Sequence, residues 1–361
     1  MVFIFQFSYD ILNIRKGGGR IMAKPTIKRI AQLAGVSTTT VSYVLNDKPG
    51  ISEETRAKVK AIMEQERYNP SANALRASAR RSGNIYLMID EFTSFGNLFY
   101  TTILDSMSVA AEKFGYNIVL SNKYESFQAS SAGKAIVQGT VDGVVFLHDV
   151  DSETLLFLQQ HQTPFVVIDS HKKDAAYMRV CADYDKAAQA VTEYLIGLGH
   201  SRIAFIGQAS FPDFYVTTFR GCCRALTEHR LTIHPQWLQS DAYDFESAYQ
   251  CMENILGCDE LPTGIVCATD LFALAAMQCT QIHGYRIPDD FSFVGIDDLN
   301  SSSAFYPTLT TIHLDHYEFA EQAVKLLHKQ ILAGDPHLFE TSTLRSDQLI
   351  IRNSTGPAPV K

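Results

Sequence analysis

Apolar residues in the segment 26–46 recur with the spacing of two short helices joined by a turn. Gly35 supplies the turn, because glycine tolerates the backbone conformations that a sharp bend requires. Ser37 is predicted to cap the second helix, and Val36 and Val41 can form a hydrophobic staple around that cap. The first helix has one apolar face, formed by Ile27, Ile30, Ala31 and Ala34. The pattern predicts a helix-turn-helix.

The second helix of this motif is predicted to have a polar outer face. At roughly 100° per residue, its polar side chains fall opposite its apolar ones. Hydrogen-bonding groups on such a helix can contact base edges in the major groove of DNA. The candidate DNA contacts of the motif are Thr26, Ser37, Thr38, Thr39, Ser42, Tyr43 and Asn46. The alternative is a helical hairpin whose polar face is only solvated.

Farther along the chain, short apolar runs alternate with helical stretches. Runs typical of buried strands occupy residues 85–89, 117–120, 143–147, 165–169, 203–207, 264–269 and 291–296. Helical periodicity is clearest over residues 99–114, 184–198, 218–229 and 271–283. This alternation predicts an α/β core of doubly wound sheets, and roughly 280 residues favour two lobes over one. A ligand is then expected between the lobes, beyond the carboxyl ends of the strands.

Charge divides the chain at the same place as the hydrophobic pattern. Residues 22–83 carry a net charge of +6 and residues 84–361 a net charge of −16, although the whole chain has a net charge of −8. A basic amino-terminal segment can neutralise DNA phosphates, whereas the acidic remainder does not favour nucleic acid. The positive segment is therefore the expected DNA-binding part.

These patterns predict four segments. Residues 1–21 are expected to be a leader that is non-native or disordered, with a partner-binding extension as the alternative. Residues 22–68 are predicted to form the helix-turn-helix domain, and residues 69–83 a short fourth helix, which Asn69-Pro70 begins, and a linker. Residues 84–361 are predicted to form the two-lobed ligand-binding domain.

Motifs over nearly the whole chain resemble the lactose/galactose repressor family of bacterial transcription factors. In chain order they are TIKRIAQLAGVSTTTVSYVLN, ISEETRAKV, RYNPSANAL, DGVVFL, LIGLGHSRIAFIG, FRGCCRAL, VGIDD, PTLTTI and RNSTGP. They run from Met22 to about Pro357 with the family's order and spacing. The resemblance implies an all-α DNA-binding headpiece and a hinge helix and linker at residues 69–83. It also implies that residues 84–361 form a two-lobed ligand-binding and dimerisation core similar to periplasmic sugar-binding proteins.

The resemblance also implies ligand contacts in the core. Asp270 follows a predicted strand and can accept two hydrogen bonds from a polyol, while Arg220 offers a planar fork of donors. For Arg220 the alternative is a structural ion pair with a carboxylate. Phe99 and Tyr243 match positions where the family places aromatic rings over the ligand, with core packing as the alternative. Asp169 lies at a strand end beside the expected cleft.

Two further positions bear on the class of ligand. Phe214 and Val216 occupy positions that carry polar contacts to purines in purine-sensing relatives. Because neither side chain can make such a contact, the sequence favours a sugar over a purine.

The segment after Asn69-Pro70 departs from the family pattern. In the family, a short helix there forms on operator DNA and inserts a leucine into the minor groove. Alignment without gaps places Ala77 at the inserting position and Leu75 where many relatives have arginine, beside Arg76. Leu75 is the favoured wedge, and weaker bending of the operator with more phosphate contacts is the alternative.

Other chemistries find little support. The seven cysteines have no CxxC spacing, which predicts reduced thiols in a cytoplasmic protein. His313 and His316 lack further ligands nearby in the sequence, so no metal site is expected. Nucleotide-binding and serine-hydrolase motifs are missing, and neither a cofactor nor catalysis is expected. Prolines at 357 and 359 preclude a helical tail that would join dimers into tetramers.

Together these observations predict a homodimeric, sequence-specific transcriptional repressor of sugar or glycoside utilisation genes. Its expected partners are double-stranded operator DNA and a small-molecule effector, with no membrane partner. The first alternative is a small-molecule receptor without a gene-regulatory role. The second is an enzyme of doubly wound fold.

Overall fold

The computed structural model describes residues 26–45, 49–66, 81–89, 98–122, 126–172 and 175–360 of the chain. The chain divides into two compact units, Met1–Arg80 and Arg81–Lys361. Predictions on residues 1–21, on Asn46 and on the hinge residues Leu75, Arg76 and Ala77 lie outside the described residues.

Helices α1, α2 and α3 make up the described part of the first unit. They span Ile27–Ala34, Thr38–Leu45 and Glu53–Gln65. Gly35 ends α1 in the left-handed conformation, with a φ of 66°, as the sharp turn requires. A shared apolar core buries Ile30, Ala31, Ala34, Val41, Val44 and Val59. The predicted helix-turn-helix is confirmed.

The first lobe of the second unit contains a six-stranded sheet. Its strands are β1 (Asn84–Ile89), β2 (Asn117–Asn122), β3 (Gly143–Phe146), β4 (Phe165–Ile168), β5 (Met178–Ala182) and β11 (Thr341–Leu344). All its strand pairs are parallel, in the order β11-β5-β4-β3-β1-β2. The helices of this lobe are α4 (Leu98–Lys113), α5 (Ser131–Val137), α6 (Ser152–Gln160) and α12 (His316–Ala333).

The second lobe repeats this plan. Its strands are β6 (Ile203–Ile206), β7 (Leu238–Gln239), β8 (Gly264–Cys267), β9 (Ser292–Asp297), β10 (Thr310–His313) and β12 (Leu349–Ile350). They follow the order β12-β10-β9-β8-β6-β7, with β12 antiparallel to β10. Its helices are α7 (Tyr184–Gly197), α8 (Pro212–Glu228), α9 (Phe245–Leu256), α10 (Asp270–Ile282) and α11 (Asn300–Ala304). Every residue of β6, β8 and β9 is buried, as expected for parallel strands covered by helices on both faces.

The chain passes between the lobes after β5, β10 and β11. Two of these passages are joined by hydrogen bonds. The Asp183 backbone N–H donates to Ser346 Oγ at 3.0 Å, and that hydroxyl donates to the Asp183 carbonyl at 2.9 Å. The predicted two-lobed α/β core is confirmed, and in the described residues no helix is both long and apolar enough to span a bilayer.

Candidate functional site

Helix α2 presents hydroxyl groups on its outer face. Thr38, Thr39 and Tyr43 are exposed, Tyr43 at 38%, whereas Val41 and Val44 are buried on the opposite side. Short hydroxyl side chains and a phenol on one exposed face are suited to contacts with base edges. The predicted polar face is therefore present on α2, with Ser42 half-buried at its margin.

Two of the candidate DNA contacts also cap helices. Ser37 Oγ accepts a hydrogen bond from the Thr40 backbone N–H at 3.0 Å. Thr26 Oγ1 accepts one from the Arg29 backbone N–H at 3.4 Å. Caps of this kind satisfy N–H groups that a helix leaves unpaired, so both residues have a structural role as well.

The described part of the second unit encloses a cavity of about 680 Å³ between the lobes. The first lobe contributes Phe99, Tyr100, Asp169 and His171. The second lobe contributes Tyr184, Gln208, Ser210, Phe211, Phe214, Tyr243, Asp244, Thr269, Leu271, Phe272, Asp297 and Leu299. The structure thus brings together three of the predicted ligand contacts, Phe99, Asp169 and Tyr243. Tyr243 is 65% exposed and lies at the rim.

Asp169 connects the two lobes across this cavity. Its Oδ1 accepts a hydrogen bond from the Tyr184 hydroxyl at 2.7 Å, and Tyr184 begins the first helix of the other lobe. Its Oδ2 lies 3.4 Å from both the Tyr100 hydroxyl and His171 Nε2. Burial and the nearby Asp169 raise the pKa of Tyr184 well above its usual value, so the phenol keeps its proton and remains a donor.

A second carboxylate, Asp297, faces the same cavity from the end of β9. Its side chain is buried and its φ is 130°, while Asp298 and Asp169 have φ values of 57° and 58°. Such conformations are rare outside glycine and persist where surrounding structure imposes them, often at ligand sites. Burial and the carboxylates of Asp270 and Asp169 raise the pKa of Asp297 well above its usual value. Asp297 follows the apolar run 291–296 directly, but it was not among the ligand contacts predicted from the sequence.

Asp270 does not line the cavity. It is fully buried, where its Oδ2 accepts hydrogen bonds from the Leu299 backbone N–H at 3.0 Å and from the Ser302 hydroxyl. Its Oδ1 accepts one from the Thr311 hydroxyl. Three hydrogen bonds therefore use the carboxylate to hold the loop after β9, and the side chain is buried away from the cavity. Burial raises the pKa of Asp270 to about 6.

Arg220 also lies away from this cavity. It forms an ion pair with Asp185, whose Oδ1 lies 2.8 Å from Arg224 Nη1. Helix α8 directs Phe214 to the cavity, and Arg220, six residues later, lies about 120° round the helix. The structure therefore favours the structural ion pair over a ligand contact for Arg220. Its side chain instead lines a neighbouring cavity of about 950 Å³.

His171 was missed by the sequence analysis. Its ring lies between three aromatic rings of the second lobe, with centroids at 5.3 Å from Tyr184, 5.8 Å from Phe211 and 5.1 Å from Phe214. Burial lowers its pKa, but the charge of Asp169 and a hydrogen bond to it outweigh burial and raise the pKa overall. This histidine lies in the loop after β4, two residues beyond Asp169, so its place just past the carboxyl end of a strand was the local signal that could have found it.

The loop that carries His171 is anchored by Asp149. This carboxylate accepts hydrogen bonds from the Ser170 and Tyr177 hydroxyls, both at 2.6 Å, and from the His171 backbone N–H at 2.8 Å. Burial raises the pKa of Asp149, but these hydrogen bonds outweigh burial and lower it overall. The position of His171 in the cavity wall is therefore fixed by its backbone as well as its ring.

The two histidines of the 313–316 segment contact different residues. His313 Nδ1 lies 2.9 Å from Asp298 Oδ2, while the His316 ring packs edge-on against Phe99 at 5.2 Å. Within the described residues, no group of three or more potential metal-binding side chains is found.

Comparisons with known proteins match both units. A model of the lacI family of bacterial regulatory proteins matches residues 26–71, and a periplasmic binding protein-like domain matches residues 192–355. The HTH-type transcriptional repressor PurR of Haemophilus influenzae (strain PittEE) is 30% identical over 344 residues, which cover 91% of this chain and 98% of that protein. PurR of Vibrio cholerae serotype O1 (strain M66-2) is 29% identical over 309 residues, covering 85% and 91%.

Solved structures show the same architecture. The transcriptional regulator CelR in complex with cellobiose has a TM-score of 0.68 and 25% identity, covering 91% of this chain and 99% of that chain. The Lac repressor dimer bound to operator and the anti-inducer ONPF has a TM-score of 0.74 and 23% identity, covering 92% and 100%.

Proposed function

The chain belongs to the lacI family of bacterial regulatory proteins, and on this premise we propose that it is a transcriptional repressor controlled by a sugar or glycoside. One observation carries the proposal. The same chain has an exposed, hydroxyl-rich helix in a basic segment and a cavity lined by carboxylates and aromatic rings. The first feature suits DNA and the second a small polar ligand. A receptor without a regulatory role would have no use for the first.

The DNA-binding state is proposed to be a homodimer on a palindromic operator. A dimer with two-fold symmetry would place α2 of each subunit in the major groove of one half-site. The likeness of the fold to the Lac repressor dimer supports this arrangement. In this proposal, residues 22–68 form the DNA-binding headpiece and residues 69–83 the hinge. Residues 84–361 form the effector-binding and dimerisation domain.

The effector is proposed to occupy the cavity between the lobes. Carboxylates accept hydrogen bonds from sugar hydroxyls, and aromatic rings pack against the apolar face of a sugar ring. The CelR complex holds cellobiose, which supports a sugar as the ligand class. The proposed contacts are Phe99, Asp169, His171, Tyr243 and Asp297. The protein would act by binding rather than catalysis, in the cytoplasm where its operator lies.

Selection of operator DNA with the full-length protein tests this function. An inverted repeat is expected among the enriched sequences. Tyr43→Ala is expected to lose discrimination at one base pair of each half-site by roughly 1–3 kcal/mol. A sugar at 100 times its Kd should stabilise the protein by about 2.7 kcal/mol in thermal unfolding. Enrichment of no inverted repeat would contradict the proposed function.

A further inference from the structure

The cavity between the lobes is acidic. Its described lining residues include three aspartates, Asp169, Asp244 and Asp297, and one histidine, His171. No lysine or arginine is among these described lining residues. The basic residues Lys172 and Arg220 line the neighbouring cavity and bind the Val150 carbonyl and Asp185, respectively. A phosphate or carboxylate ligand would therefore enter a negative field without a guanidinium or ammonium to meet it.

The three carboxylates differ in how they are neutralised. Asp244 caps α9 by accepting a hydrogen bond from the Ser247 backbone N–H at 2.8 Å. Asp169 is held by Tyr184 and by His171. The charges that act on Asp297 among the described residues are those of other carboxylates, Asp270 and Asp169. Among the described residues that line the cavity, no lysine or arginine accompanies the buried Asp297, which is an unfavourable arrangement for its charged form.

The walls of the cavity are suited to a positive charge. Seven of its described lining residues are phenylalanine or tyrosine: Phe99, Tyr100, Tyr184, Phe211, Phe214, Tyr243 and Phe272. Aromatic ring faces attract cations, most strongly where water is excluded. The His171 ring already lies among three of these rings and beside Asp169, so this wall accommodates an imidazole whose protonated form the Asp169 carboxylate favours.

We propose that the effector carries a protonated amine, as an amino sugar does, and that Asp297 is its counter-ion. This inference rests on the proposed function, because it assumes that a sugar occupies this cavity. The ammonium would lie against Asp297, the apolar face of the sugar ring would pack on the aromatic walls, and Asp169 would accept a hydroxyl. An ammonium favours the charged carboxylate, so binding would release a proton from Asp297 into solvent.

Calorimetry on the full-length protein with matched sugars tests the inference. The pairs are glucosamine and glucose, galactosamine and galactose, and mannosamine and mannose, with glucose 6-phosphate as an anionic probe. One amino sugar is expected to bind at least tenfold more tightly than its neutral counterpart, and glucose 6-phosphate more weakly than glucose. At a pH where the free amino sugar is fully protonated, a net release of protons, at most one per site, is expected. The binding heats in phosphate and in Tris should then differ by the number of protons released multiplied by the difference between the two buffers' ionisation heats.

Two variants separate charge recognition from general damage. Asp297→Asn is expected to reduce the preference for the amine to less than twofold, because the amide keeps the shape but has no charge. Asp259→Asn removes an exposed carboxylate of the second lobe that lines neither cavity and is expected to keep the preference. Unchanged operator binding by both variants would show that they fold.

The outcomes test the preference for an amine separately from the sugar-responsive repressor function. Equal binding of an amino sugar and its neutral partner would overturn the inference and leave a sugar-responsive repressor standing. Retention of the amine preference by Asp297→Asn would overturn the assigned counter-ion. Binding of neither series, with operator binding intact, would overturn both the inference and the sugar class.

Discussion

At the scale of single residues, Asp270 supports the cavity without lining it. The loop from Asp297 to Leu299 carries two cavity residues, and Asp270 holds this loop through the Leu299 backbone N–H. Asp270→Ala would leave the Leu299 backbone N–H and the Ser302 and Thr311 hydroxyls without this acceptor, which is expected to cost about 1–3 kcal/mol of unfolding free energy. Effector affinity is expected to fall as well. Urea unfolding and calorimetry measure the two effects, and an unchanged unfolding free energy would contradict this role.

Arg220, in contrast to Asp270, is expected to contribute little to stability and nothing to effector affinity. Its side chain is 40% exposed and pairs with Asp185, so the ion pair is screened by solvent. Arg220→Ala is expected to cost less than about 1 kcal/mol of stability and to leave effector affinity unchanged. A large loss of affinity in calorimetry would return Arg220 to the ligand site.

These two residues show what local sequence can and cannot predict. The sequence predicted that carboxylates at strand ends would gather near the cleft, and Asp169 and Asp297 do line the cavity. The sequence could not predict that Asp270 would lie outside the cavity, because the groups that donate hydrogen bonds to it are 29 to 41 residues away in the sequence. Gly295 also matters, since a Cβ there would lie 2.3 Å from Asp270 Oδ1. Such close approach follows from tertiary packing rather than from either local segment.

His171 predicts a pH dependence of stability. Its pKa is raised in the folded protein, so its stabilising contribution is complete below the unfolded value of about 6.5 and is lost as the pH rises through the folded value. The carboxylates of Asp169, Asp149 and Asp213 act on it. His171→Gln is expected to reduce the melting temperature more at pH 6 than at pH 9. Comparison with the wild-type protein at each pH cancels the titration of other groups. Equal losses at both pH values would contradict the ion pair.

At the scale of elements, helices α7 and α8 pack closely at Gly221. A Cβ on Gly221 would lie 2.0 Å from the Asp185 carbonyl oxygen, so the helices would have to separate. Gly221→Ala is expected to destabilise the protein by about 1–3 kcal/mol. Gly197→Ala is the control, because no atom lies within 4 Å of a Cβ added there. That variant is expected to be neutral or stabilising by about 0.5–1 kcal/mol. Denaturant unfolding of both variants gives the comparison, and equal stabilities would refute the packing argument.

On helix α2, the capping residue and a proposed DNA contact are different side chains, so the two roles can be tested separately. Ser37 caps α2, whereas Thr39 lies exposed in its first turn. Ser37→Ala is expected to destabilise α2 by about 1 kcal/mol and to weaken operator binding. Thr39→Ala is expected to weaken operator binding alone. Hydrogen exchange of the α2 amides and fluorescence anisotropy on operator DNA distinguish the two, and faster exchange in both variants would contradict the assignment.

Element boundaries were less predictable than element types. The predicted helix from residue 218 begins six residues earlier, at Pro212, because proline is favourable in the first turn. Strand β11 has the polar sequence TSTL and pairs with β5 at the sheet edge, so alternation of apolar residues gave no signal. Long apolar strands at the sheet centres were identified because burial on both faces demands continuous hydrophobic runs.

At the scale of the whole molecule, the net charge is negative although the DNA-binding segment is positive. The chain has a pI of about 5.8, yet residues 22–83 carry a net charge of +6. Phosphate contacts release counterions, so operator affinity should fall steeply with salt, by about 10³–10⁵ between 50 and 200 mM for six to ten contacts. The acidic body does not alter this slope unless it approaches the DNA.

Substitution of matched lysines tests that view. Lys28 is exposed on α1 beside Arg29, which is itself paired with Glu66 at 2.8 Å. Lys28→Ala is expected to reduce the slope of log K against log salt by about 1 per subunit and to weaken all DNA sequences alike. Lys325→Ala removes an exposed lysine from α12 in the acidic body and is expected to leave the slope unchanged. Anisotropy titrations at four salt concentrations give the slopes. Equal slopes for the two variants would mean that local charge on the headpiece does not control the contact with phosphate, because both substitutions change the net charge of the chain by the same amount.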